Sequence, residues 1–551
     1  MFLLILLISI ASSFYTIKDG KIIDESTQKE FHVKGIGFTN NCYDTYWYEH
    51  PKMDHTNESY SDVFSRGFNS VRFYMNSKVF QADDYSIRPT AWPWLDNEIS
   101  QAKKAHIKLI LNMHLNQEGY ASQGKIFTPG VSQNQFFNLW ALIAEHCKDE
   151  ETVLGFGLIN EPNIQFDTNA QTTLQTYQDF IETTVKGIRQ TDNNHLIFLE
   201  TVGFLNGDGS SYKEYGNLFT INDSKTVYES HYYSPIDYTH QNASFNSQFS
   251  SIPAIQYSEE NYFTEGKRVW KKCLNTQSYD TNKQNTWQKL SATLKVEGFD
   301  TNEYFIYFWA SNMKSGYALF DDFTITEKDG ESVVWTKKYD FNSKVLINYW
   351  SSPYSGSQEY STNEGRDGSG AYKVSGVTST AQVEIKEFFY PTSGRTYTIE
   401  GYVYGTELNT DVSLQVRMNF ETVDYIHKFD KEYLEHCLQT VLKFQSDKNV
   451  PIYIGEFGIT KYCFWDRQGE KYVEDFLDIC EKHNLNFNYH DYHDDNFGLY
   501  QTGSYSEIGD LNKQLDDVFQ TKLPNMWKSD EENSSSVGLL VLFGVMMLLV
   551  L

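Results

Sequence analysis

Eight short apolar runs alternate with helical patterns along this chain, and that alternation limits the fold more than any other feature. The runs are Lys34–Asn40, Asn69–Met75, Lys108–His114, Val153–Pro162, His195–Val202, Thr226–Pro235, Val450–Gly458 and Leu485–Tyr492. Between them Trp94–Ile107, Phe136–Cys147, Thr173–Ile188, Lys431–Phe444, Glu470–His483 and Ile508–Thr521 carry apolar residues at helical spacing. Eight strands, each followed by a crossover, predict an α/β fold: a closed (β/α)8 TIM barrel of parallel strands. Such a barrel gathers its reactive groups at the carboxyl ends of its strands, so a motif that does chemistry belongs there.

One interval breaks the rhythm. Residues 245–420 lack a helical period and are rich in Ser, Thr, Gly, Asn and alternating aromatics. Ser291–Val296, Tyr304–Ala310 and Tyr397–Tyr404 read as sandwich strands separated by turn residues. The expected layout is a barrel over 14–244 and 421–528, with an all-β sandwich inserted between them.

Two strand endings carry the chemistry. The fourth run ends Gly157-Leu158-Ile159-Asn160-Glu161-Pro162, and the seventh ends Ile452-Tyr453-Ile454-Gly455-Glu456-Phe457-Gly458. A Glu closing a buried apolar run is costly unless it faces a polar cavity. Two on strands that share one barrel mouth form the pair of carboxylates that glycosidic cleavage needs. Glu200 and Glu229 also stand near strand ends but lack the same surroundings.

Here the chain resembles the family 5 glycoside hydrolases, the cellulase-like group of retaining (β/α)8 enzymes. The likeness spans residues 31–244 and 421–522. It rests on Gly67-Phe68-Asn69-Ser70-Val71-Arg72, Leu111-Asn112-Met113-His114, Asn160-Glu161-Pro162, His231-Tyr232-Tyr233 and Gly455-Glu456-Phe457-Gly458, in that order. It implies that Glu161 is the acid/base and Glu456 the nucleophile, supported by Arg72 and Tyr233. It also implies that Asn160, His114 and His231 line the sugar site, and that neither metal nor organic cofactor is needed. His231 and Tyr233 stand two apart, so a strand points both into one space. One departure stands out: His490 occupies the place where the family ends its eighth strand with a Trp. Either Tyr492 or Trp465 supplies the missing ring face, or the subsite is built differently. The implied substrate is a β-linked polysaccharide, with β-1,4-glucan first and β-mannan or β-1,3-glucan as rivals. A surface lectin that has lost catalysis is the alternative from another class.

Within the insert, Thr286–Ser291 and Phe320–Phe323 resemble the last strands of jelly-roll carbohydrate-binding modules. Gly368–Tyr372 and Gly394–Thr398 resemble their first strands. The reversed order suggests one circularly permuted module. Asp321 and Asp322 offer carboxylates to a calcium ion or simply make a turn.

Composition narrows the partners. A net charge of -27 disfavours nucleic acid and anionic membrane surfaces and suits a neutral ligand. Aromatics at 16% exceed what a core needs and fit either sugar stacking or sandwich strands. Residues 1–13 read as a signal peptide, with small residues after the apolar run Met1–Ala11. Residues 529–551 end in the apolar tail Val537–Leu551, shorter than the roughly 20 residues that span a bilayer. A GPI-attachment signal or a plain membrane anchor is expected there, which places the protein outside the cell. Six cysteines and sequons at Asn57, Asn222 and Asn242 agree with that compartment. The cysteine spacing fixes no pairing.

Overall fold

The computed structural model describes residues 14–527 except 41, 44–54, 165–169, 204–216, 246–248, 250–253, 266–268, 273–275, 297–301, 344–346, 353–354, 386–391, 393, 423–424 and 502–508. The segments expected to be a signal peptide and an anchor, 1–13 and 529–551, lie outside the described residues. Among the described residues no helix is long and apolar enough to cross a membrane. The chain divides into two compact units. The second comprises Ser258–Glu432 with Ser251–Ala254, and the first takes in the remainder.

The first unit is the expected barrel. Its strands are β1 (Lys34–Phe38), β2 (Ser70–Asn76), β3 (Lys108–Leu115), β4 (Val153–Gly157), β5 (Leu196–Glu200), β6 (Thr226–Tyr232), β7 (Ile452–Phe457) and β8 (Asn486–Tyr489). Each pairs in parallel with its neighbours, and β8 pairs with β1 to close the ring. Parallel strands in such a ring are covered on both faces, which explains why they read as apolar runs rather than alternating ones. All seven residues of β2 are buried, Arg72 among them. At the amino end of the barrel, Tyr15 and Ile22 from the hairpin Tyr15–Lys18/Lys21–Asp24 pack with Val33, Ile110, Leu154, Leu196 and Tyr453. The opposite end holds the polar groups.

The helices follow their apolar spacing. Val131–Cys147 buries Phe136, Leu139, Trp140, Ile143, Ala144 and Cys147, one stripe at helical period. Trp140 donates its indole N–H to the Leu158 carbonyl at 3.0 Å, fixing the chain two residues before Asn160. The helix expected over Lys431–Phe444 is two helices, Lys431–Cys437 and Gln439–Lys448. Helix Asn57–Ser65 escapes the sequence reading, because in nine residues only Ser59, Tyr60 and Val63 are buried.

The second unit is all antiparallel β. Its longest strand, Asn302–Asp329, pairs with Ala371–Ile385 along most of its length. On its other edge it pairs with Ser413–Thr422 in its first half and Thr396–Thr406 in its second. The Phe308 ring centroid nevertheless lies 4.1 Å from that of Phe323. Fifteen residues of straight strand span about 50 Å, so this strand doubles back on itself. Register shifts at Ser311/Met313 and Met313/Tyr317, with Gly316 at φ 71°, mark the bend. Two layers result, with Ile306, Phe308, Phe320, Phe323, Val374, Val383, Ile399 and Val416 between them.

Asp321 and Asp322 are used within the fold. Asp321 accepts from the Arg366 and Asp322 backbone N–H groups and from Ser369, while Asp322 pairs with the Arg366 guanidinium. The pair thus lies within the strand Asn302–Asp329, at a register shift between Asp321 and Thr324, and not in a turn. Cys42, Cys147, Cys463 and Cys480 are buried thiols, and Cys273 lies outside the described residues.

Candidate active site

Arg72, buried in β2, organises the barrel mouth. Its Nη1 donates to Glu456 Oε1 at 2.6 Å and its Nη2 to Asn160 Oδ1 at 2.9 Å, with Glu229 Oε1 at 3.0 Å. Glu456, from β7, also accepts from Tyr233 at 2.9 Å on Oε2 and from Tyr74 at 3.2 Å on Oε1. Burial alone would raise its pKa. His231, His490, Arg72 and His114 overcome that and hold it well below the usual carboxylate value, as a nucleophile requires.

Glu161 sits in a different setting. Its side chain is 54% exposed against 6% for Glu456. Its Oε1 meets His231 Nδ1 at 3.1 Å, and its backbone N–H donates to Glu200 Oε1 at 2.9 Å. Glu161 adopts φ 43°, in the left-handed region that non-glycine residues enter at a cost and that clusters at functional sites. One carboxylate oxygen each of Glu161 and Glu456 and a ring nitrogen of His231 lie within 4.8 Å of one another. These three groups therefore face one shared space at the barrel mouth.

Behind this pair stand two carboxylates set aside in the sequence. Glu200 ends β5 and Glu229 lies in β6; both are buried against Arg72 and His231. Burial pushes Glu200 well above the usual glutamate value despite the neighbouring His231. His231 is itself desolvated, yet Glu200, Glu456, Glu161 and Glu229 lift it well above the usual histidine value. Alternation along the strand was the available signal, since Glu229, His231 and Tyr233 are spaced by two, as are Arg72 and Tyr74.

Gly455 makes room for Glu229. A Cβ at that position would lie 1.8 Å from Glu229 Oε1. Gly455→Ala is therefore expected to lower the unfolding free energy by about 2 kcal/mol or more, read by urea denaturation.

The remaining expected residues divide. His114 faces the site from β3, with Nε2 3.5 Å from Asn160 Nδ2 and 2.7 Å from the Tyr43 hydroxyl. Burial pushes it down to about 3, so it is a neutral ring at working pH. His490 follows β8, and its Nδ1 lies 2.9 Å from the Tyr74 hydroxyl. The single Tyr74 proton goes to Glu456, so His490 donates to Tyr74. Tyr492 is not brought to the carboxylates. It is 2% exposed, its hydroxyl donates to Asp62, and its ring packs on Phe38, His55 and Tyr500. The physical reason is the chain's turn after β8, which sends this ring into the core instead of across the mouth. Trp465 is 59% exposed against Tyr462. Tyr43, beside His114, and Tyr120, both unforeseen in the sequence, are exposed and stack on each other at 6.0 Å.

Among the described residues, two three-residue groups have ligand atoms close enough to hold a metal, Glu161–His231–Glu456 and Glu200–Glu229–His231. The Arg72 guanidinium already supplies the cation at Glu456 and Glu229.

Residues 25–315, more than half of the chain, match the cellulase family, glycosyl hydrolase family 5. The chain belongs to that family. Endoglucanase C of Acetivibrio thermocellus is 25% identical over 207 residues, covering 36% of this chain and 57% of that protein. This chain thus spans little more than half the length of that relative. Mannan endo-1,4-beta-mannosidase 8 of Oryza sativa is 26% identical over 171 residues, 26% of this chain and 42% of that one. Among solved structures, Thermotoga maritima Cel5A in complex with cellobiose aligns at TM-score 0.46 and 14% identity, covering 88% of this chain and 97% of that one.

Proposed function

We propose that this family 5 protein is a retaining β-glycosidase that cleaves β-1,4-glucan by double displacement. The observation that carries the reading is the close approach of two carboxylates in unlike settings, Glu456 buried on Arg72 and Glu161 open to the mouth. Glu456 attacks the anomeric carbon while Glu161 gives its proton to the departing oxygen, leaving a glycosyl ester on Glu456. Glu161, now a carboxylate, takes a proton from water, which attacks that carbon and frees Glu456. Because Arg72 donates to Asn160 Oδ1, the Asn160 amide NH2 is turned toward His114, whose Nε2 lies 3.5 Å from it at the sugar site. There it donates to the sugar 2-hydroxyl, a bond that strengthens toward the transition state.

The endoglucanase relatives support glucan as the polymer, and the mannosidase relative makes β-mannan the second reading. Tyr43 and Tyr120 are the ring faces available for stacking a pyranose beside His114. The apolar segments at the two ends of the sequence support a surface enzyme, and glycan held by the all-β unit would raise the local substrate concentration.

The test is hydrolysis of a panel of β-glucans and mannans by the chain without residues 1–13 and 529–551, with NMR of the first product. A β-anomer released first is the expected result. An α-anomer first, or glycan binding without cleavage, overturns the reading.

A further inference from the structure

We propose that Glu200 is a positioning residue for the acid/base, holding Glu161 by both its backbone and its carboxylate. Three contacts close a ring. Glu200 Oε1 accepts the Glu161 backbone N–H at 2.9 Å and lies 3.4 Å from His231 Nε2. The other His231 nitrogen, Nδ1, meets Glu161 Oε1 at 3.1 Å. Glu161 is thus gripped at the main chain directly and at the side chain through an imidazole. This inference rests on the reading of Glu161 as acid/base.

The grip answers a local need. Glu161 carries a left-handed backbone, a conformation that persists only where its surroundings over-determine it. Its side chain is exposed and would otherwise sample several rotamers. An acid/base must serve two steps from one position, so this freedom has to be removed.

Glu200 is poorly explained as a mere counter-ion. Arg72 already has Glu456 at 2.6 Å, Asn160 at 2.9 Å and Glu229 at 3.0 Å. Glu200 reaches it through Oε2 at 3.6 Å, and that buried oxygen has no hydrogen-bond partner among the described residues. An unsatisfied buried oxygen costs stability, which fits a side chain placed for Glu161 rather than for folding. Among the described residues, the charged groups within 4 Å of the His231 ring nitrogens belong to this set: Arg72 from β2, Glu161 after β4, Glu200 from β5, Glu229 from β6 and Glu456 from β7.

The experiment compares kcat/KM of wild type, Glu200→Ala and Glu200→Gln on two aryl β-cellobiosides. Phenyl needs a proton to leave, whereas 2,4-dinitrophenyl does not. Glu200→Ala is expected to lose about 100-fold on the phenyl glycoside and less than about 3-fold on the dinitrophenyl one. Glu200→Gln can still accept the Glu161 N–H, so it should fall between wild type and Ala on the phenyl glycoside. It matches the native side chain in size and carries the test if Ala does not fold. Equal losses on both glycosides, or unchanged activity on both, overturn the proposal. A wild-type protein inert on both overturns the reading of the site itself, and this inference with it.

Discussion

Glu456→Gln is expected to lower kcat on the preferred polymer by about 10^5-fold, equivalent to about 7 kcal/mol of barrier, with a fall of a few degrees in Tm near neutral pH as the stabilising charge is lost. The substitution is nearly isosteric, and the Gln oxygen still accepts from Arg72 and Tyr74, whose present contacts are 2.6 and 3.2 Å. Arg72 keeps Glu229 at 3.0 Å, so no buried cation is stranded. What disappears is the charge that attacks the anomeric carbon, and no described neighbour can replace it. Glu161 points at the same space but must carry the proton for the leaving group. Initial rates over long incubations measure the loss, and residual activity above one part in a thousand would reject Glu456 as nucleophile. A 2-deoxy-2-fluoro glycoside supplies a second check. It should accumulate as an ester on the peptide containing Glu456 in the wild type and not in the variant, by mass spectrometry.

The barrel was legible because its signal is local and repeated. Eight apolar runs needed no long-range knowledge, and Ser70–Asn76 is buried throughout as such a run demands. The insert was readable only as all-β. Its central strand doubles back so that Phe308 meets Phe323, and nothing in alternating aromatics announces a bend set by register shifts and Gly316. At the site, Glu161, Glu456 and Arg72 were visible because each sits in a motif. Glu200 and Glu229 were visible as strand-end acids and set aside, because their meaning depends on which neighbour Arg72 and His231 reach across the ring. Sequence gives that direction by parity within one strand but not between strands. Tyr492 failed for the related reason that parity beyond the end of β8 no longer holds.

Arg72→Met tests the electrostatic core of the site. Removing the guanidinium leaves Glu456 and Glu229 buried without the cation they share, and breaking a buried pair from one side costs about 3–5 kcal/mol. A Tm lower by about 5 °C is expected near neutral pH. The sign with pH follows from Glu456. Its folded value is depressed, so its contribution to stability is present above the unfolded value of 4.5 and lost as pH falls through the folded one. Without Arg72 one of the groups that depress it is gone and the desolvation that raises it remains, so the Tm deficit of the variant should shrink as the buffer is made acidic. Activity should move with it. In the wild type the acid limb of kcat/KM lies below the ordinary glutamate value, and in the variant it moves upward while the maximum falls by about 1,000-fold. Arg72→Lys separates charge from geometry. A single ammonium cannot give Nη1 to Glu456 and Nη2 to Asn160 at once, so it should keep most of the acid limb and lose most of the rate. If Lys restored full activity, the fork that orients Asn160 would be unnecessary, and Arg72 would act on Glu456 through its charge alone.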